Sequence, residues 1–478
     1  RSYRHSMKHN IISFLFIFFF SEVNAQKIWS LKDCIDYALN NNISVQQSII
    51  ASKIAAATYQ QSVGSLFPSI NASSSLNYNY GRSLDPTSYQ YVDQTFQSGG
   101  ASLNGNLPIF QGLELQHNLR KSSIDFDASK LDVRKVQNDI ALSVATAYLQ
   151  ILYSNEQLKA TNDRIDAVTK ERNRAKILVD NDLLAEGSLL DADALLATEE
   201  FNKASAENLL TSSRLTLIQL MQLEGASDIV IETPTLEIPS QESLSLSSES
   251  VYNEALKNLP EVKASELRLK SAKESLGIAR AARYPKLSAF GSLSTNYSNQ
   301  ATSLDGSPVF TGYVPSGAVT SSGEQVLQPV FNYKYIDTPL KDQLNNNFGK
   351  AIGFNLSISL FNGWAINSNI KRSKLSFENA RLNALQTKNT VYKNVQQAHA
   401  DAIAALNKYA AANKSVAAQE KAFLYTEKKY NAGLLNSIDY VNARNNYTKS
   451  QSDLIQSKFD LILKIKVLDY YLGKPLSF

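Results

Sequence analysis

Cysteine occurs once in 478 residues, at Cys34. A single thiol excludes an intrachain disulfide and any metal site built on paired cysteines. Histidine is nearly as scarce: His5, His9, His117 and His399 lie far apart in sequence. No phosphate-cradling glycine loop and no nucleophile elbow is present, so the expectation is a non-enzyme without metal or cofactor. Net charge is only +4, too balanced to suggest nucleic acid as a partner. Long apolar runs are missing too. Beyond residue 25 nothing approaches the roughly 18 residues of a helical membrane span. Disorder is excluded in turn by 43% hydrophobic and 19% charged residues. What remains is a soluble, peripheral or β-barrel protein, and barrel strands give no helix-type hydropathy signal.

The start reads as an export signal. Met7 is the expected initiator, with residues 1–6 upstream of it, and Lys8 gives a positive n-region. A ten-residue, largely apolar stretch from Ile11 to Phe20 follows, half a transmembrane helix in length. Val23-Asn24-Ala25 ends in the small residue signal peptidase needs, so residues 1–25 are expected to be removed. Leu31-Lys32-Asp33 before Cys34 does not resemble a lipidation box, and an unlipidated chain is expected.

The rest is organised as a repeat. Tyr37-Ala38-Leu39-Asn40-Asn41-Asn42 returns as Glu254-Ala255-Leu256-Lys257-Asn258-Leu259, and Leu66-Phe67-Pro68 as Arg283-Tyr284-Pro285, both at an offset of 217. Leu107-Pro108-Ile109-Phe110-Gln111-Gly112 matches Ile358-Ser359-Leu360-Phe361-Asn362-Gly363 at 251, and Leu220 and Gly225 match Leu468 and Gly473 at 248. The expectation is a tandem duplication, 26–225 and 248–478, joined by a Ser/Pro-rich linker at 226–247. The second copy carries a longer loop, 299–347.

Each copy predicts a helix, two strands and long helices. Residues 31–64 show helical apolar spacing and stop before Pro68. Strict alternation follows: Ile70, Ala72, Leu76, Tyr78 and Tyr80 on one face, Asn71, Ser73, Ser75 and Asn77 on the other. Leu287, Ala289, Leu293 and Tyr297 alternate with Ser288, Ser292, Ser294 and Asn296, Phe290 being the exception. The partner strands place Leu103, Leu107 and Ile109, and Ile352, Phe354, Leu356, Ile358 and Leu360, on one face. A soluble sheet on a core would carry Lys and Glu outside; here the polar face is Ser and Asn, which suits a neutral, water-filled lumen. Tyr78, Tyr80, Tyr89, Tyr91, Tyr297 and Phe348 suit an interfacial girdle. From Gly112 to Asp180 and from Gly363 to Tyr430 no Pro or Gly interrupts, so helices of ~105 Å are expected. Return helices at 187–223 and 437–472, with small residues dense at Ala400, Ala402, Ala404, Ala405 and Ala410–Ala412 on the long helix, should pack as coiled coils.

Four strands cannot close a barrel, and open edges in lipid leave backbone groups unsatisfied at several kcal/mol each. Pooling strands among copies is the escape, and twelve strands from three chains leave a water channel. The mainly α chain with membrane β resembles TolC-like outer membrane efflux proteins (outer membrane factors) over essentially its whole mature length. The resemblance rests on Ala38-Leu39 with Asn42, Ala255-Leu256, Pro68 and Pro285 at strand entry, Leu360-Phe361-Asn362-Gly363 at strand exit, and Tyr430-Asn431-Ala432-Gly433 with Ser437-Ile438-Asp439. It implies a homotrimer with a 12-stranded barrel in outer-membrane lipid and a helical periplasmic tunnel. It implies also a periplasmic adaptor (membrane fusion protein) and an inner-membrane transporter, in efflux or type I secretion. The competing reading is a non-channel periplasmic coiled-coil scaffold.

By the same resemblance the periplasmic tips are 179–184 and 430–435, and Tyr430 matches the family's gate tyrosine. Asp439 matches the first of its ring aspartates; Asn442 replaces the second, and Leu435 the usual tip arginine. Asp439 is open to a second reading, as a cap of the return helix beside Ser437, and Asp191 in the first copy shares that ambiguity. Leu183, Leu184, Leu434 and Leu435, with Gly433, are read as exposed apolar tips that contact the adaptor.

Overall fold

Ser30 opens the first helix with a capping box: its hydroxyl accepts from the Asp33 backbone N–H while the Asp33 carboxylate accepts from Ser30. The computed structural model describes residues 27–84, 89–93, 95–225, 228–234, 238 and 242–475. The expected signal peptide and part of the 226–247 linker lie outside them. In chain order the elements are β1 (Ile28–Trp29), α1 (Leu31–Asn41), α2 (Ile43–Gly64), β2 (Ser69–Asn79), β3 (Arg82–Leu84), β4 (Tyr91–Asp93), β5 (Phe96–Gln111), α3 (Glu114–Asp180) and α4 (Glu186–Met221). Then come β6 (Val230–Ile231), α5 (Glu242–Ser245), α6 (Ser248–Asn258), α7 (Pro260–Ala281), β7 (Lys286–Ser298), β8 (Thr302–Leu304), β9 (Val309–Val319), β10 (Gln325–Asn332), β11 (Tyr335–Asp337), α8 (Leu340–Asn346), β12 (Gly349–Ser357), α9 (Ala365–Asn431) and α10 (Ser437–Tyr471).

Four expectations are corrected here. The helix expected over 31–64 is two helices, broken at Asn42, whose backbone is extended (φ −63°, ψ 126°). The break frees the Asn42 amide to donate to the Leu220 carbonyl at the end of α4, 3.0 Å away. The 299–347 segment is no plain loop but holds β8–β11 and α8. Ile358 and Leu360 lie beyond the end of β12 at Ser357. The linker is partly structured, since its Val230 and Ile231 pair in parallel with Ile28 and Trp29.

The chain forms two compact units. One comprises residues up to Gln46, Val136–Asn258 and Tyr392 onward; the other comprises Gln47–Lys135 and Leu259–Val391. The first is helical. Its core gathers Trp29, Cys34, Ala38, Val144, Tyr148, Ile151, Leu217, Met221, Ile231 and Ile462. Tyr148 is buried with its hydroxyl donating to the Glu232 carbonyl at 2.7 Å, which ties α3 to the β1–β6 pair. Burial pushes both this phenol and the Cys34 thiol up, the thiol to about 12, so Cys34 is an inert core residue.

The second unit holds an antiparallel four-stranded sheet in the order β12-β7-β5-β2. Its register sorts most of the alternating residues, with Phe290 opposite Asn106 and Lys350 opposite Leu293 as exceptions. Ala72 faces Leu103, Leu103 faces Leu293, Leu107 faces Ala289 and Phe354 faces Ala289 across the strands. Asn71 faces Asn104, Asn104 faces Ser292 and Ser288 faces Asn355 on the other side. The apolar face lies open, Ile352 being 91% and Phe354 74% exposed. On the polar face Phe290 is accommodated over Gly353, where a Cβ would lie 2.9 Å from the ring. Beyond the sheet, α8 docks on the end of β7: Gln343, fully buried, accepts from the Ser298 N–H and donates to the Thr338 carbonyl. Among the described residues no helix is long and apolar enough to cross a membrane.

Both long helices are 67 residues and end in the same turn. Asp182 N–H donates to the Val179 carbonyl and Leu183 N–H to Leu178; Gly433 N–H donates to Tyr430 and Leu434 N–H to Lys429. This double bond closes a helix on a left-handed residue, φ 57° at Asp182 and 71° at Gly433. Nothing lies within 4 Å of a Cβ built on Gly433, so a side chain there meets only backbone strain. Gly433→Ala should lower the stability of the helical unit by about 1 kcal/mol in thermal or denaturant melts. Gly433→Asn should cost less, and Asp182→Gly should shift stability upward; no difference between Ala and Asn would refute the strain account.

Candidate functional site

Aromatic residues seven apart line the distal end of α9 and the start of α10: Phe423 with Tyr430, and Tyr440 with Tyr447. Seven residues is two helical turns, so each pair shares one face. The faces meet. Tyr430 stacks on Tyr440 with centroids 4.6 Å apart, and Phe423 stacks on Tyr447 at 5.6 Å while contacting Tyr440 at 5.7 Å. Aromatic pairs at such spacing contribute about 0.5–1.5 kcal/mol beyond area burial.

Onto this stack α3 presents one acid. The Tyr440 hydroxyl donates to Glu171 at 2.6 Å, and the Arg444 guanidinium pairs with the same carboxylate oxygen while donating to the Tyr440 oxygen at 3.1 Å. Tyr440 is 4% exposed. Burial raises the Glu171 carboxyl above its ordinary range, against the opposing pull of the Tyr440 and Arg444 bonds. Burial, then the neighbouring carboxylate, drives the Tyr440 phenol well up. Tyr430 is raised too, by burial and then by Glu171 and Asp191. Two further bonds join the α3/α4 hairpin to α9/α10: Ser437 donates to Asp191 at 2.5 Å, and Arg174 donates to Asn431 at 2.8 Å. Below the stack lies a groove of about 720 Å³ lined by Leu183, Leu184, Gly433, Leu435, Arg174 and Tyr430 among others.

The structure therefore brings Tyr430 and Asp191 into one cluster and leaves Asp439 and Asn442 exposed outside it. Asp439 is not the cap of α10. Asn436 is, its side chain accepting from the Asp439 backbone N–H at 2.8 Å, with Asp439 in the first turn as a complement to the helix dipole. Three residues apart, Asp439 and Asn442 share one helix face. The tip leucines divide: Leu183 and Leu434 are each 73% exposed, whereas Leu184 and Leu435, expected to be exposed, are half-buried. They follow the left-handed turn residue by two positions, and the reversing chain folds them into the groove. Glu171, Tyr440 and Arg444 escaped the sequence reading. The four-residue spacing of Tyr440 and Arg444 beside the heptad aromatics was the available signal; the acid they hold lies 269 residues away from Tyr440.

Comparison with other proteins places this geometry. Residues 34–222 and 251–473 match the family model described as outer membrane efflux protein. The toxin and drug export protein A of Aggregatibacter actinomycetemcomitans is 22% identical, with 78% of this chain and 73% of that protein covered. Outer membrane protein TolC of Vibrio cholerae is 22% identical, with 74% of each covered. The crystal structure of the outer membrane protein VceC from Vibrio cholerae superposes with a TM-score of 0.72 at 16% identity, covering 94% of this chain and 97% of that one. The fold is the one seen there.

Because its carboxyl pKa is raised, Glu171 binds its proton more readily in the folded protein than in the unfolded chain. The stability this group contributes is fully present below the ordinary carboxylate range and is lost as pH rises through its folded value. Carboxylates with lowered values, such as Asp401 held by Lys464 and then Gln397, run the other way, so the comparison must be differential. Subtracting the melting curve of Glu171→Gln from that of the parent across pH 4 to 7 should leave a component gained on acidification; superimposable curves would refute it.

Proposed function

Since the chain belongs to the outer membrane efflux protein family, we propose that it is the outer-membrane exit duct of a tripartite efflux or type I secretion assembly. It receives cargo from a periplasmic adaptor and an inner-membrane transporter and passes it outward. The observation that carries this reading is the sheet: four strands with a mainly apolar face, a face mainly of Ser and Asn, and free edges at β2 and β12. In a bilayer those edges must pair, and three copies supply a closed twelve-stranded wall around a neutral lumen. The helices that follow the strands then lead into the periplasm. Family members are transport channels, and catalysis is no part of this reading.

We infer too that the two halves descend from one unit. The long helices are each entered through consecutive left-handed residues, Gly112–Leu113 and Gly363–Trp364. Each half closes with an asparagine amide on the end of its return helix, Asn42 on Leu220 and Asn258 on Leu472.

At the hairpin ends, the bonds Glu171–Tyr440–Arg444, Asp191–Ser437 and Arg174–Asn431 hold the two hairpins of one chain together, and Tyr430 stacks among them. This cluster serves as the latch of the closed tunnel, with Asp439 and Asn442 on the exposed face of α10 lining the constriction. An exposed carboxylate from each of three copies favours cations in the pore. In planar bilayers Asp439→Asn should reduce cation selectivity, and Tyr440→Phe, which deletes the donor to Glu171, should raise the open probability. Unchanged conductance and selectivity in both would remove the constriction from this end of the protein. Leu183 and Leu434, exposed at the tips, are the adaptor contact: Leu434→Glu should abolish export while oligomer yield stays constant, and undiminished export would count against it.

A further inference from the structure

A second groove, of about 650 Å³, lies in the sheet-bearing unit where β5 gives way to α3. Its walls are Phe110, Leu113, Leu276, Tyr284 and Phe377. The strand register decides which face it belongs to. A bulge between Pro108 and Phe110 sets Phe110 opposite Leu287, on the same face as Leu103, Leu107 and Leu293. The groove therefore continues the apolar face of the sheet rather than the Ser/Asn face. Its strand residue, Phe110, is on β5, an inner strand of β12-β7-β5-β2 rather than one of the edges at which copies would pair.

The floor is tightly packed. A Cβ on Gly112 would lie 2.8 Å from the Tyr284 Cβ and 2.5 Å from the Ala281 carbonyl oxygen, and one on Gly277 would lie 2.6 Å from the His117 ring. Gly277 thus admits His117, which meets Glu274 at 2.6 Å. Glu114 nearby is paired with Lys286 at 2.7 Å. With those acids matched, two exposed cations on α7, Lys273 and Arg280, stand at the groove with no ion pair or side-chain hydrogen bond among the described residues. An apolar cleft within the usual range for ligand sites, open to the face that meets lipid and rimmed by unmatched positive charge, has the chemistry of an amphiphile with a negative head.

We propose that this groove binds an anionic phospholipid of the periplasm-facing leaflet, one acyl chain against Phe110, Leu276 and Phe377 and the phosphate on Arg280 and Lys273. The site fixes the depth at which the barrel sits and marks the boundary between lipid and helix. It rests on the barrel reading given above, which places the helix end of the strands at that leaflet.

The test uses the full chain purified in detergent, with phosphatidylglycerol and phosphatidylcholine of identical chains as probes and native mass spectrometry counting retained lipid. Phosphatidylglycerol is expected at one per chain and in preference to phosphatidylcholine. Arg280→Ala with Lys273→Ala should weaken its retention about 30-fold, the effect of two cations near an anionic headgroup. Lys334→Ala with Lys341→Ala, at the other end of the strands, should change nothing. Phe377→Asp, which leaves both cations in place, should also expel the lipid. Equal retention of the two lipids, retention unchanged in the Arg280/Lys273 variant, or displacement by an equal concentration of inorganic phosphate would each overturn the assignment. A chain that stays monomeric and soluble without detergent sinks the barrel reading and this site with it. A detergent-requiring oligomer without the lipid preference sinks this site alone.

Discussion

A β-sheet with two free edges cannot stay in hydrocarbon, and that constraint orders the rest of the molecule. The outer strands β2 and β12 run 11 and 9 residues, and each offers a row of unpaired N–H and C=O groups along its outer side. In water such a row is a hazard of aggregation; in lipid it costs several kcal/mol per group. Among the described residues no other strand of the chain pairs with either edge; in the barrel proposed above, other copies supply the partners. The composition of the two faces follows. In the proposed barrel, serine and asparagine line the lumen without imposing a charge on what passes, and the mainly apolar face of Ile, Leu and Phe meets lipid.

The helical parts answer a different demand. Long helices that pack side by side without a wide hydrophobic core must approach closely, and small residues allow it. The seams here pair hydroxyls as well as methyls: Ser62 meets Ser122 at 2.7 Å, Ser52 meets Ser129 at 3.0 Å and Ser154 meets Ser213 at 3.2 Å. Each hydroxyl also serves, or can serve, a carbonyl one turn back, as Ser122 does to Asn118 and Ser154 to Gln150, so burial leaves no donor stranded. Alanine and serine seams pack by shape more than by transferred area.

Period-two and period-3.6 patterns were legible because they are local. The alternation of Leu103 and Leu107 with Asn104 and Asn106 needs no knowledge of the partner strand, and the absence of Pro and Gly through α3 and α9 announces their length. What escaped depends on residues far apart in the chain. Phe290 broke the pattern of β7 for a reason that lies on β12, where Gly353 leaves room for its ring. The bulge beside Ile109 is invisible without the register that places Phe110 against Leu287. The helix break at Asn42 is set by a carbonyl 178 residues on. At the hairpin ends the resemblance picked out Tyr430 and Asp191, both in the cluster, but local sequence carried no mark on Glu171, one acid among many on a helix rich in them.

That acid bears on how the latch proposed above can release. Burying a carboxylate costs several kcal/mol, and a close guanidinium and phenol return about as much, leaving a pair whose net contribution to stability is near zero. The raised carboxyl range of Glu171 is the residue of that contest: its burial is not fully offset even with Arg444 and Tyr440 in contact. A leucine cluster in the same place would hold the hairpins together more firmly and would release them only against the full loss of its buried area. The polar arrangement has another property. When the hairpins part, water solvates every group that the bonds had satisfied, so the open state is not penalised by orphaned charge. The aromatic stack of Phe423, Tyr430, Tyr440 and Tyr447 lies on α9 and α10 alone, so it survives the parting and keeps that hairpin rigid. Strong contacts within a hairpin and nearly neutral ones between hairpins are what the proposed latch requires.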